Sequence, residues 1–234
     1  LCAGAATFEP LPPEKLTPPP PRPEVEQQGI KRVTVRRPAE LPYLFMGYKV
    51  PSLTPAADAD PVVSESELYA LEVLAGILDG GNSARFASRL VRGSEVAASV
   101  GAGYSLVSRM DSLFTITGTP SQDVTTADLE QAIRAELNDL RENLVTPEEL
   151  ARVKAQVVSE DVYEKDSMFY QGMIIGILES IGLDWRLADE YVGKVQTVSA
   201  EQVRDVVRKY FVDDRLTVAE LDPLPLTGPQ RPPR

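Results

Sequence analysis

The chain has 234 residues, 43% of them apolar and 25% charged, with a formal net charge of −11, which is material for one substantial core. That acidic balance, with Lys and Arg scattered among acids, argues against a nucleic-acid partner. There is no histidine and one cysteine, Cys2, so the usual zinc ligand, the usual general base, Ser-His and Cys-His pairs, internal disulfides and Cys-x-x-Cys knuckles are all excluded.

Of the 20 prolines, 13 fall between Pro10 and Pro61 and five at or after Pro223. The stretch Leu11 to Gln28, with Pro18 to Pro21 inside it, reads as an extended linker, and the segment from Pro223 to Arg234 as a similar tail. Residues 31–223 are then the folded body, 1–30 the preceding segment and linker, and 224–234 the tail. The longest apolar run, around Met173 to Leu178, is far below the roughly 20 residues of a membrane span, and no membrane role is expected. No secretory signal is visible from Leu1 onward.

Arg32 to Arg37 and Leu41 to Val50 alternate as two strands around a turn at Pro38. Ser64 and Glu67 have capping-box spacing, Leu68, Leu71, Leu74 and Leu78 share a helical face, and Gly80-Gly81 supplies the stop. A short helix is expected from Ser83 to about Arg92. Period two returns from Val96 to Leu106, with Ala98, Val100, Ala102, Tyr104 and Leu106 on one side, and Leu113 to Gly118 is its hairpin partner. Gly101 and Gly103 on the other side imply something packed closely there, a helix or a bound chain.

Leu129, Ile133, Leu137 and Leu140 mark the next helix. Thr146-Pro147-Glu148-Glu149 opens another that runs toward Gly182, with a break or close contact expected at Gly172 and Gly176. Helices from Trp185 to Val195 and Ser199 to Phe211 precede a last strand, Leu216 to Leu221. The order β-β-α-α-β-β-α-α-α-α-β predicts an α+β fold, a largely antiparallel mixed sheet with helices packed on one face.

Several stretches in this order resemble the pitrilysin/insulinase family of zinc peptidases, which includes the mitochondrial processing peptidases. They are Leu41-Pro42-Tyr43 with Gly47-Tyr48 and Pro51, Leu74 to Ser83 with Arg89-Leu90, Thr146 to Leu150 with Lys154-Ala155-Gln156, and Val198 to Val203 running to Arg208-Lys209-Tyr210-Phe211. The resemblance implies two homologous halves closing on a peptide, only one of which carries a His-x-x-Glu-His zinc motif. Without histidine, this chain resembles the non-catalytic C-terminal half, and Phe8 to Pro12 the end of a preceding half. Its implied cofactor is zinc in the partner half and none here. Its implied partners are an N-terminal catalytic half or separate catalytic subunit and a peptide substrate; a homodimer is compatible with it. A periplasmic location is a family-based expectation. The rival reading is a binding or scaffolding module that kept the fold and lost proteolysis.

Many members place an Arg, and a Tyr seven residues later, in this half; here Val91 and Ala98 stand at those positions. Arg89, Arg92 and Tyr104 lie near enough to substitute as substrate contacts. Gly80, Gly81 and Asn82 could form a chamber-facing loop, or simply a helix stop. Arg85, Arg89 and Arg92 would stack on one helical face, as a substrate strip or a salt-bridged surface. Glu148, Glu149, Glu160, Asp161, Glu164 and Asp166 could attract a cation or be plain helix surface. Tyr163, Met168, Phe169, Tyr170 and Met173 are expected to pack the helix layer, with lining of the chamber as the second reading.

Overall fold

The alternation of Leu44, Met46, Tyr48 and Val50 puts four apolar side chains on one face of strand β2 (Tyr43–Val50), and all four are buried. The computed structural model describes residues 26–55, 63–109 and 112–226; most of the expected linker, Cys2 and most of the tail lie outside the described residues. β2 is the middle strand of a five-stranded sheet with β1 (Lys31–Pro38), β3 (Ala97–Gly103), β4 (Ser112–Pro120) and β5 (Leu216–Leu224), in the order β1-β5-β2-β4-β3. Three of its pairings are antiparallel, and β1–β5 is parallel.

Register stacks like with like on the inner face, where Met46 opposes Ile116 and Val218, and Tyr48 opposes Phe114 and Leu216. Six α-helices are described: α1 (Glu65–Asp79), α2 (Thr126–Glu142), α3 (Pro147–Lys165), α4 (Met168–Ile181), α5 (Leu187–Thr197) and α6 (Ala200–Tyr210). Helix α2 lies on β2 and β4 and α6 on β2, while α1 packs beside α6, α3 and α5. The fold is thus the α+β layer structure that the element order implies. Phe211, just past α6, closes the core with its ring 4.6 Å from Tyr48 and 4.9 Å from Phe114.

Local signals set most boundaries. Thr125 with Asp128, Thr146 with Glu149 and Ser199 with Gln202 form complete capping boxes on α2, α3 and α6. Ser64 and Glu67 do not complete one, because the Ser64 hydroxyl donates to Glu67 Oε1 at 3.3 Å and accepts no backbone N–H, while Glu67 Oε2 accepts from Lys209 Nζ and the Tyr210 hydroxyl on α6. Pro223 belongs to β5 rather than to the tail. It pairs only toward β1, since β2 reaches no further than Leu221, so its missing N–H leaves no gap in the β2 ladder.

Three expectations are corrected. The α3–α4 break falls at Asp166–Ser167, where Ser167 caps α4 by accepting from the Tyr170 N–H, and Gly172 and Gly176 sit inside α4 with open space beside them. The third strand ends at Gly103, and a bulge between Ala97 and Ser99 turns Ala97 inward and leaves Ala98 exposed. Residues 86–91 form a π-helical turn, Phe86–Val91, with i→i+5 bonds such as Arg92 N–H to Ala87 O at 3.2 Å.

Val100 packs against the core and Ser105 is exposed, its Oγ donating to Val107 O at 2.9 Å. Val100→Asp should therefore cost about 2 kcal/mol in thermal melts, and Ser105→Asp less than about 0.5. Equal costs would contradict this inward register.

Candidate functional site

The turn after α1 is built by backbone need. Gly80 sits where a Cβ would lie 2.3 Å from the Gly76 carbonyl, and Gly81 adopts φ +84, the left-handed region. Gly80 O accepts from Arg152 Nη1 at 2.6 Å and Gln156 Nε2 at 3.0 Å, so α3 clamps the turn. Arg92 donates to Asn82 O from across the π-helical turn. The structure thus brings Gly80, Gly81, Asn82 and Arg92 together.

The other arginines are committed to ion pairs. Arg85 is buried, and its Nε and Nη2 reach the two Glu149 oxygens at 2.6 and 2.9 Å while Nη1 reaches Asp139 at 2.8 Å. Burial alone would raise Glu149, but hydrogen bonds from Arg85 and the Thr146 backbone outweigh it and hold the carboxyl below its usual range. Arg89 pairs with Glu136 and Asp139 at 2.9 and 3.1 Å. Arg85 and Arg89 therefore face α2 and the start of α3 as a salt-bridged surface, while Arg92 turns away to the Asn82 carbonyl.

Tyr104 lies elsewhere, just past the end of β3, where its hydroxyl donates to Pro51 O at 2.7 Å and burial pushes its pKa up. It lines a cleft of about 640 Å³ between α1, α3, α4, α5 and the chain after β3. Tyr69, Tyr170, Trp185 and Tyr191 add aromatic walls, with the Tyr69 and Tyr191 rings 6.3 Å apart. Glu160, Asp161 and Glu164, read from the sequence as either cation-attracting or plain surface, line the cleft together with Glu72 and Asp189. Among the described residues the one basic side chain on the wall, Lys165, is held by Asp161 at 2.9 Å.

Glu72 is the residue the sequence did not single out. It lies between Leu71 and Val73 on α1, and nothing local distinguishes it from a surface acid. Its Oε1 accepts from the Tyr191 hydroxyl at 3.3 Å, while Oε2 is inaccessible to solvent and has no hydrogen-bond partner among the described residues. Burial raises its pKa to about 7, the weak Tyr191 bond opposing and Glu160 adding to the rise.

The aromatic cluster expected to pack the helix layer does not. Met168, Phe169 and Tyr163 are 89%, 81% and 75% exposed at the tip of the α3–α4 hairpin, with Val162 also exposed; Tyr170 alone turns into the cleft. This hairpin tip is the chain's conspicuous apolar surface.

Among the described residues no side-chain group fits zinc. Histidine is absent from the sequence, and among the described residues no three Cys, Asp or Glu side chains converge as a metal site. What the site presents is an aromatic, acidic cleft beside an α+β sheet layer.

Residues 5–157, well over half of the chain, match the model of the peptidase M16 inactive domain, and the chain belongs to that family. Among solved structures, a protease from Helicobacter pylori is 22% identical with a TM-score of 0.82, covering 94% of this chain and 51% of its own. The inactive peptidase domain from Bordetella parapertussis is 20% identical at a TM-score of 0.66, covering 86% of this chain and 99% of its own. The periplasmic protease PqqL from Escherichia coli is 17% identical at 0.63, covering 84% and 21%. At these identities the likeness is one of fold, and the chain spans about half of the Helicobacter protein and about a fifth of PqqL. No curated protein matches the chain. Among the described residues no helix is long and apolar enough to cross a membrane.

Proposed function

We propose that the chain is the substrate-enclosing, non-catalytic half of a zinc peptidase, working with a His-bearing half that carries the metal and the general base. The observation that carries this reading is a well-packed M16 inactive-domain fold without a single histidine. Such a half contributes surface: closing on a peptide excludes water and orients the scissile bond against a metal held elsewhere. The exposed Tyr163, Met168 and Phe169 supply apolar area suited to a contact with that second half. The Gly80 to Asn82 turn with Arg92 is a second proposed substrate-facing element, and Arg89 a further candidate contact. A periplasmic home belongs to the same proposal, supported by the family resemblance.

The test measures hydrolysis of an unstructured peptide by this chain, by a His-bearing M16 half from the same genome, and by the two mixed. Activity should appear only in the mixture, and Met168→Asp with Phe169→Asp should cut it at least about tenfold without lowering the melting temperature of this chain. Cleavage by this chain alone, unaffected by a chelator, would overturn the reading. A counterpart equally active without this chain would favour the scaffolding role instead.

A further inference from the structure

We propose that the cleft beneath Tyr104 receives the cationic tip of a lysine or arginine side chain from a bound peptide, with the Glu72 carboxylate as its counter-ion and Tyr69, Tyr104 and Tyr191 around its stem. Three independent features point to this occupant. The cavity, about 640 Å³, has room for a long side chain and part of its backbone. Its lining includes Glu72, whose Oε2 has no hydrogen-bond partner among the described residues and whose charge no basic side chain there offsets. Its charge balance is one-sided, since Glu72, Glu160, Asp161, Glu164 and Asp189 face one lysine that is already paired.

The walls fit the stem as well as the tip. Methylene groups pack on aromatic faces, and a cation within about 6 Å of such faces is attracted by their quadrupoles. An anion or a neutral sugar would meet five carboxylates and little donor capacity, because the Tyr104 hydroxyl is committed to Pro51 O and the Tyr191 hydroxyl to Glu72. The choice of a peptide as carrier of the cation rests on the enclosing role proposed above; the cation site itself does not.

Binding must then depend on pH through Glu72. Tyr69 on α1, Tyr104 after β3, Glu160 on α3 and Tyr191 on α5 interact with it, and Asp161, Glu164 and Lys165 on α3, Tyr170 on α4 and Asp189 on α5 line the same cleft. Glu160 disfavours the ionised form, and burial disfavours it more. A cation paired with the Glu72 carboxylate opposes both effects, so Glu72 ionises as the ligand binds. Affinity should be full above about pH 7 and fall about tenfold per unit below it.

The experiment is calorimetry on the whole chain at pH 8 and pH 5.5 with two probes, n-butylamine and a short peptide containing one lysine, each against an N-acetylated control. Both probes should bind at pH 8, weaken about 20- to 30-fold at pH 5.5, lose at least about tenfold on Glu72→Gln at pH 8, and fail when acetylated. Folding of the variant is followed separately. A carboxylate whose folded pKa is raised from 4.5 to about 7 destabilises increasingly as pH rises through that window, so Glu72→Gln should melt higher than wild type at pH 8 and level with it below pH 4.5. Equal binding by wild type and Glu72→Gln, or no binding by either probe, overturns the site. Glu72-dependent binding of butylamine without the peptide overturns the peptide as occupant, and with it the link to substrate enclosure, while the cation site stands.

Discussion

Replacing Arg85 by Ala should lower stability by about 3–5 kcal/mol at pH 7, enough to unfold much of the chain at physiological temperature. The guanidinium is buried and spends its fork on Glu149, with a third bond to Asp139. Those partners belong to different helices: Asp139 lies near the end of α2, and Glu149 is the capping-box residue that also receives the Thr146 N–H at 2.9 Å. Removing Arg85 leaves two carboxylates facing each other across a partly dry gap and loosens the start of α3. Both are held below their usual range in the fold, Asp139 chiefly by the Asn143 amide with the arginines behind it. Their contribution is therefore present above the unfolded carboxylate range and lost as pH falls through the folded values. The gap between wild type and Arg85→Ala, measured by urea titration at several pH values, should narrow in acid below about pH 4. A gap unchanged by pH would show that Arg85 acts through packing alone.

The second large effect is expected at Gly76, the point where α1 crosses α3. A Cβ there would meet Val153 Cγ1 at 2.7 Å, and Val153 is itself buried. Valine on a helix has one strongly preferred rotamer and cannot swing aside, while the Gly76 carbonyl is tied to Arg152 Nη2 at 3.2 Å and to the Gly80 N–H. Gly76→Leu should cost about 3 kcal/mol by overpacking. Gly76→Ala is the sharper diagnostic, because helix propensity alone predicts a gain of up to about 1 kcal/mol. Here it should destabilise, and turn neutral or favourable when Val153 is also made Ala. Additive costs in that cycle would mean that the helices separate freely and that the glycine serves another purpose.

Periodicity and capping made the layer fold legible in the sequence. The apolar stripe of α2 and the starts of α3 and α6 follow from residues within four positions of one another, whereas the Thr125–Asp128 box that opens α2 emerges from the structure. What stayed hidden depends on distant partners. Arg85 and Arg89 look like one surface strip until the Glu149 and Asp139 side chains, 64 and 54 residues from Arg85, close over it. Glu72 looks like any helix acid until α3, α4 and α5 shut water away from it. Met168 and Phe169 were misplaced for the opposite reason: their apolar character suggests a core, yet burial is decided by which neighbours arrive, and among the described residues none covers them. Ser167, next to Asp166, was the available cue to the α3–α4 break, masked by apolar residues that continue on both sides.

The parallel pairing of β1 with β5 has a mechanical consequence. The two strands run the same way through eight matched positions, from Lys31 beside Thr217 to Pro38 beside Leu224, and Gln27 adds a bond to Leu216 O at 2.7 Å. Tension applied at residue 30 and at residue 225 therefore pulls one strand backward and the other forward along a common axis. Every slanted, evenly spaced hydrogen bond of the ladder is loaded together, and none can rupture before its neighbours. A pull between residue 30 and residue 215 would instead open the ladder one bond at a time from a single end. The sheet edge is thus a shear clamp, resistant to stretching along the chain and easily peeled from the side where β1 begins.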